Sequence, residues 1–202
     1  MKTKSMIVGL MLTAAIAVSC DRNDDQPNSA MVVEENELAV DANEIDAIVD
    51  EAYEASSTEL KSASADGGYL STCAIITLDK SSTVKVLTID FGTGCQGKDG
   101  KTRTGKIIIT TESFTDVNKL RTITFDSYTV NGKQVEGTIE KTITLIVDAN
   151  VKVAQISEDL TFVLPDNKGT ATRVANITRR YEFNTLGTVV DNKLYTWGET
   201  IF

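Results

Sequence analysis

Residues 92–97, Gly-Thr-Gly-Cys-Gln-Gly, form the pattern GxGxxG, which in dinucleotide-binding proteins approaches a pyrophosphate. Such a loop binds phosphate because a helix begins at its end, so that the N-terminal amides and the helix dipole face the anion. Here glycines interrupt the chain that follows, and the β-branched run Ile107–Thr111 comes next. The sequence therefore predicts a β-hairpin loop without a cofactor, in which residues 98–101 form a tight turn.

The same loop carries four basic residues, Lys98, Lys101, Arg103 and Lys106. Loops on a rigid sheet commonly carry recognition. We expect residues 92–106 to be a mobile loop and these four cations to be its contact residues for an unidentified protein or ligand.

Catalytic groups are scarce. The chain has no histidine, so the usual general base is absent, and two mature-domain cysteines without histidine do not suit a zinc site. Asp90 and Asp126 could be the carboxylate pair of a glycan hydrolase on adjacent strands, although aspartates at such places more commonly accept backbone hydrogen bonds or face water. We predict no enzyme, no catalytic residue and no metal.

The first nineteen residues have the form of an export signal, with two lysines followed by the apolar segment 6–18. That segment is too short to span a bilayer comfortably. Ala-Val-Ser-Cys at 17–20 then resembles a bacterial lipobox, in which Cys20 is lipidated before cleavage behind Ser19. An ordinary signal peptide cut near Ser19 is the alternative. The sequence predicts a lipoprotein anchored to the membrane through Cys20.

An acidic run follows Cys20 and predicts a flexible tether over residues 20–41. It resembles the run behind the lipidated cysteine of lipoproteins that Bacteroidota export to the cell surface. The expected location is therefore the outer membrane, facing either the periplasm or the exterior. Without Lys2 and Lys4, 18 basic residues stand against 29 acidic ones, a balance that argues against a nucleic-acid partner.

Cys73 and Cys95 remain in a chain that is exported to an oxidising compartment. A hairpin turning at residues 80–82 places Cys73 opposite about residue 90, and a loop that curls back would reach Cys95. We predict a disulfide between them; two free thiols are the alternative.

A helix is predicted over residues 43–56, capped by Asp41 or Asn43 and followed by a small-residue linker at 57–68. Its apolar side chains recur with helical spacing. They are Ile45, Ile48, Val49, Ala52 and Tyr53.

From residue 69 to 202 the pattern predicts about eight long strands joined by short turns. One parity of residues 135–147 is expected to be buried: Val135, Ile139, Ile143, Leu145 and Val147. A parity slip predicts a bulge near Asp126-Ser127, and Asn131-Gly132 predicts a two-residue hairpin turn. Aromatic residues at alternating positions are expected in the core, with a carbohydrate-stacking face as the alternative. They are Tyr181, Tyr195 and Trp197.

Short turns make neighbouring strands antiparallel, so the predicted fold is mainly β. We expect one domain, residues 42–202, in which a meander forms a curved sheet or partial barrel with the helix packed on it. A β-sandwich is the alternative.

The chain resembles a family of uncharacterised Bacteroidota lipoproteins. The resemblance lies in residues 88–107, with Thr-Ile-Asp-Phe-Gly-Thr-Gly-Cys, Asp-Gly-Lys-Thr-Arg and Gly-Lys-Ile. It continues in residues 124–138, with Thr-Phe-Asp-Ser-Tyr and Val-Asn-Gly-Lys-Gln-Val-Glu-Gly-Thr. It implies a secreted, lipid-anchored, mostly β protein without an assigned activity. Relatives often continue beyond the position of Phe202, so an open sheet edge is expected.

These observations predict a non-enzymatic cell-envelope protein that acts as a binding or structural module. The first alternative is a carrier that encloses an apolar ligand or lipid in its curved sheet, and the second is a surface glycan hydrolase. A large apolar cavity would favour the carrier, whereas a filled core would favour the module.

Overall fold

The computed structural model describes residues 29–57, 69–113, 118–183 and 193–202. In these residues one helix, α1 (Ser29–Ser57), packs against a single antiparallel sheet of nine strands. The strands are β1 (Ile75–Asp79), β2 (Lys85–Asp90), β3 (Cys95–Gln96), β4 (Thr102–Thr111), β5 (Leu120–Val130), β6 (Lys133–Ile146), β7 (Val151–Val163), β8 (Thr170–Glu182) and β9 (Lys193–Ile201). A 3-10 turn at Val147–Ala149 joins β6 to β7. The predicted export signal, Cys20 and residues 58–68 lie outside the described residues.

The sheet is a meander, because each long strand pairs with the next one along the chain. The order is β1-β2-β4-β5-β6-β7-β8-β9, and the two-residue β3 pairs beside β4. The sheet is curved and open, which confirms the predicted mainly β fold. β1 and β9 are its edges.

The two faces of the sheet differ in what covers them. The helix-covered face carries the alternating buried residues of the strands, among them Ile109, Ile123 and Ile139. The opposite side, here called the open face, carries the intervening positions, which are rich in threonine. Leu145 and Val147 share the buried parity but are exposed, so their predicted burial is wrong; they lie beyond the part of β6 that α1 covers.

Two local predictions of the strand pattern are confirmed. Asn131 and Gly132 both have positive φ, 49° and 78°, as the two-residue turn between β5 and β6 requires. A bulge interrupts the β5–β6 register between Thr124 and Thr129. Opposite it, Gly105 of β4 has φ 72°, and a Cβ there would lie 2.2 Å from the Ser127 carbonyl oxygen, so only glycine fits.

Helix α1 begins at Ser29, well before the predicted start at residue 43. The tether predicted over 20–41 is therefore wrong for residues 29–41, and Asp41 and Asn43 lie inside the helix rather than capping it. No glycine or proline interrupts residues 29–57, and the buried Leu38 continues the apolar stripe by two turns toward the N-terminus. Burial of that stripe, rather than the acidic composition, decides where the helix lies.

The core is the space between α1 and the helix-covered face. The predicted stripe is buried in full, and Leu38 and Ala42 join it. Burying one large aliphatic side chain such as Ile45 or Ile48 contributes about 1.5–3 kcal/mol. The helix is thus an integral layer of the domain.

Candidate functional site

The first cluster of charged side chains joins α1 to the start of β4. The Lys101 ammonium donates to Asp41 at 2.8 Å and to Glu44 at 2.7 Å. The Arg103 guanidinium lies 3.1 Å from Glu44 and 2.6 Å from Asp99. Burial alone would lower the pKa of Lys101, but its hydrogen bonds to Asp41 and Glu44 outweigh that effect and raise the pKa above its ordinary value.

The second cluster lies at the middle of α1. The Lys141 ammonium, on β6, donates to Asp46 at 2.6 Å and to Asp50 at 2.7 Å. Arg179 of β8 donates to Asp46 as well and to the Asn43 side chain at 2.7 Å. Burial by itself lowers the pKa of Lys141, but the two carboxylates outweigh it and hold the pKa above the ordinary value.

These clusters make the helix–sheet contact electrostatically complementary. Lys133 adds a contact of 2.6 Å to Asp41, and the Arg121 guanidinium lies 3.4 Å from the centre of the Tyr53 ring. The acids other than Asp99 come from the helix and most of the cations from the sheet, so the charges fix the position of α1 over the apolar core. A cation that is buried against carboxylates in this way has a structural role and is not available to a substrate.

The buried ion pairs of these residues were missed at the sequence level, although a signal was present. Lys141 stands on the same parity as Ile139 and Ile143, and Glu158 on that of Ile156 and Leu160. Both are buried, Lys141 at 1% exposure. A charged residue on the buried parity of a strand predicts an ion pair beneath a covering element. Arg103 and Arg173 obey the same rule.

The structure gives different surroundings to the four cations that were predicted to form a contact loop, and it brings Lys101 and Arg103 together on Glu44 of α1. Arg103 is fully buried, so a role in binding a partner is wrong for this residue, and Lys101 is engaged with α1. Arg103 and Lys106 belong to β4 rather than to a loop, because this segment pairs with β2, β3 and β5. Lys106 is 43% exposed and lies 3.1 Å from Asp90. For Lys98 and Lys106 the contact role stays a prediction.

The loop that carries GxGxxG is a hairpin connection, as predicted. A strand, β4, follows it instead of a helix. Gly92 and Gly100 have positive φ, 61° and 79°, and the Gly97 N–H donates to the Lys101 carbonyl at 2.8 Å. The arrangement lacks the helix N-terminus that binds a pyrophosphate.

Cys73 and Cys95 form a disulfide with their Cα atoms 5.7 Å apart, which confirms the predicted pairing. It ties the segment before β1 to β3. Closing a loop of 22 residues in sequence separation stabilises the fold by about 3 kcal/mol in the chain-entropy account.

Asp90 and Asp126 are not neighbours in the sheet. Lys106 of β4 stands between them, paired in register with Asp90 on one side and Asp126 on the other. The Gly92 N–H and the Lys106 ammonium hold the pKa of Asp90 below its ordinary value. Such a carboxyl is ionised near neutral pH and does not serve as the general acid of a hydrolase.

The aromatic residues of β9 lie outside the core. Trp197 is 53% exposed and Tyr195 is 45% exposed, so the expectation that they are core residues is wrong. They pair in register with Thr178 and Arg180 of β8 on the open face. Tyr181 of β8 pairs in register with Leu194. Successive side chains of β9 alternate between the two faces, so Leu194 and Tyr181 lie on the face opposite to Tyr195 and Trp197.

Two surface pockets flank the sheet. One, of about 300 Å³, lies at β6–β8 and is lined by the polar residues Glu140, Thr142, Gln155, Ser157, Asn176 and Thr178 and by the apolar residues Leu120, Ile156 and Ile177. The other, of about 410 Å³, lies between the N-terminal half of α1 and the turns after β5 and β7. Both have charged and polar side chains in their linings.

Comparison of the chain with protein-family models, with curated proteins and with solved structures finds no match. The resemblance to Bacteroidota lipoproteins stays a prediction. Within the described ranges, the helix is not apolar enough over its length to cross a bilayer, and no group of three metal-ligating side chains comes together.

Proposed function

We propose that this protein is a non-enzymatic module of the bacterial cell envelope, anchored to the outer membrane by lipid on Cys20, and that it acts by binding or as a structural component. The observation that carries the proposal is that the protein's own helix fills the space over one face of the curved sheet. Seven apolar side chains of α1 occupy that space, and five cations of the sheet contact the acidic and amide groups of the helix.

A sheet face that is filled by the protein's own helix favours the module over a carrier. A carrier of apolar ligands needs an apolar cavity that encloses most of its ligand. Here the space that would be such a cavity holds Ile45, Ile48 and Val49. The two pockets lie at the surface and have mixed polar linings, which suit a polar partner better than a lipid tail.

The arrangement of carboxylates supports a non-enzymatic role over the glycan hydrolase. In such enzymes the two carboxyl groups face each other across a substrate cleft. Asp90 and Asp126 have a lysine between them on a sheet surface, and Asp90 is committed to Gly92 and Lys106.

Native mass spectrometry of protein extracted gently from its host envelope tests the module against the carrier. We expect the mass of the polypeptide with its disulfide and any covalent lipid, and nothing that dissociates on denaturation. A lipid that stays bound under native conditions and leaves on denaturation would contradict the module. Incubation of the same preparation with polysaccharides, followed by chromatography for released fragments, tests the absence of hydrolysis.

A further inference from the structure

On the open face the strand register aligns one side chain from each of five strands in a row that crosses the sheet, here called the rank. Thr142 of β6 is opposite Gln155 of β7, Gln155 is opposite Thr178 of β8, and Thr178 is opposite Trp197 of β9. On the other flank, Leu120 of β5 is opposite Thr142. With about 4.8 Å between neighbouring strands, the rank is about 19 Å long from Leu120 to Trp197.

The two ends of this rank are apolar and exposed, while its centre is polar. Trp197 and Leu120 are both about half exposed. Tyr195 is two residues from Trp197 on β9, so its ring lies on the same face about 7 Å farther along the strand. Two large aromatic side chains, each about half exposed, thus form a platform on one face of an outer strand.

The groups between the ends suit a ligand with many hydroxyls. The amides of Gln155 and Asn176 both donate and accept hydrogen bonds, as do the hydroxyls of Thr142, Ser157 and Thr178. They line the pocket of about 300 Å³. Sugars present alternating donors and acceptors around a ring, together with an apolar C–H face that packs on an aromatic ring.

The charges of this surface decide which sugars fit. Among the described residues that line the pocket, the only charged one is Glu140, and Glu199 is opposite Asn176 in the adjoining rank. The nearby Arg180 is paired with Glu182 at 2.9 Å. Lys193, opposite Glu182 on this face, is an exposed cation two residues before Tyr195. At the pocket itself the carboxylates of Glu140 and Glu199 disfavour uronates and sulfated glycans.

We propose that the open face of β6–β9, with Trp197 and Tyr195 as its stacking platform, is a binding site for a neutral polysaccharide chain. The inference rests on the binding role proposed above and names the class of ligand. Trp197 and Tyr195 stack on successive sugar rings, and Gln155 and Asn176 form hydrogen bonds with the hydroxyls at the ring edges.

The single tryptophan of the chain makes the test direct. Trp197 is the only tryptophan among the 202 residues, so intrinsic fluorescence reports on this site alone. We would titrate the purified protein with mixed-linkage β-glucan, xylan, galactomannan, α-mannan and dextran. With at least one of them, we expect a blue shift of the emission and protection from quenching by acrylamide. Alginate and polygalacturonate serve as the acidic counterparts.

Three variants tie the binding to the proposed surface, and native gels that contain the retaining polysaccharide measure their affinity. Trp197→Ala is expected to lower the affinity for the polysaccharide about tenfold, which corresponds to the loss of roughly one stacking contact. Gln155→Ala keeps the fluorophore and should weaken binding in both assays. The matched control is Leu194→Ala: Leu194 is 57% exposed on the same strand but on the other face, and its removal should leave the affinity unchanged.

Several outcomes would overturn the proposal. They are no response to any neutral polysaccharide, a response to the acidic polysaccharides alone, or equal losses for Leu194→Ala and Trp197→Ala. A dimer that Trp197→Ala dissociates would assign the platform to a second copy of the chain instead. Cleavage of a polysaccharide by the protein would contradict the non-enzymatic role but not the binding site. Absence of binding would contradict the binding site but not the non-enzymatic role.

Discussion

Lys141 lies at the centre of the sheet with its ammonium group between two carboxylates of α1 and almost no access to water. A charge buried in this way is stable only while its partners remain. The Coulomb attraction alone does not give the net contribution of these ion pairs to stability, because the charged groups lose hydration when they are buried. What can be predicted is the cost of removing one member.

Lys141→Met keeps the length and packing of the side chain but leaves Asp50 without its cation and Asp46 with Arg179 alone. We expect the free energy of unfolding to fall by about 3 kcal/mol, the lower end of the range for a broken buried pair. Urea unfolding followed by far-ultraviolet circular dichroism measures the change. The matched control is Lys119→Met, which removes the exposed pair with Glu112 and should change stability by less than about 1 kcal/mol. Equal losses in the two variants would contradict a special role for Lys141.

For single residues, the sequence predicts the face of the sheet on which a side chain lies better than it predicts the interactions of that side chain. The parity of β6 correctly predicts the burial of Val135, Ile139 and Ile143, since alternation is a property of the strand itself. It also places Lys141 inside, yet nothing local identifies its partners, which are more than ninety residues away. The exposure of Trp197 likewise depends on what covers β9, and no pattern within the strand encodes that.

Among the elements, α1 was only half predicted. The stripe from Ile45 to Tyr53 stands out because the residues around it are polar. Toward the N-terminus the same stripe consists of Leu38, Asp41 and Ala42, in which a buried aspartate replaces an apolar residue. Its partners, Lys101 and Lys133, come from the turn regions of two hairpins, so the helical role of this segment becomes visible only in the folded sheet.

The ion pairs of α1 predict how stability depends on alkaline pH. In the unfolded chain Lys101 and Lys141 lose their protons near the ordinary value of 10.5, whereas the folded state keeps them bound to higher pH. Burial raises the pKa of Tyr128 as well, so its ionisation also favours the unfolded state. Because the folded state binds more protons, the free energy of unfolding must fall as pH rises through this range.

We expect urea unfolding to give a constant stability between about pH 7 and pH 9 and a progressive loss above about pH 10. Tyr128→Phe removes the contribution of the tyrosine and retains that of the two lysines, so a loss above about pH 10.5 should persist in that variant. Stability that stays constant up to about pH 11 in the wild-type protein would contradict the raised pKa values of the lysines.

For the whole molecule, the meander follows from turn chemistry and alternation, both of which are local. The order of the strands could therefore be predicted, and so could the Cys73–Cys95 disulfide, because the hairpin geometry brings the two segments together. The difference between the faces could not be predicted with the same ease. It arises because one helix covers one side of a curved sheet, which leaves the threonine-rich side and the aromatic residues of β9 in contact with solvent.

The proposed anchor places this asymmetric sheet at a membrane and can be tested on the whole chain. Lipid on Cys20 would hold the domain at the envelope while α1 and the sheet stay in the aqueous phase. Acyl chains bury enough CH₂ groups for stable attachment only when more than one is present.

In a bacterial host we expect labelled palmitate to be incorporated into the wild-type chain and the chain to sediment with membranes. Cys20→Ser should abolish both, whereas Ala17→Leu, which restores the residue usual in a lipobox, should retain both. Wild-type protein found in the soluble fraction without label would favour the ordinary signal peptide instead, and the open face would then bind its ligand as part of a diffusing protein.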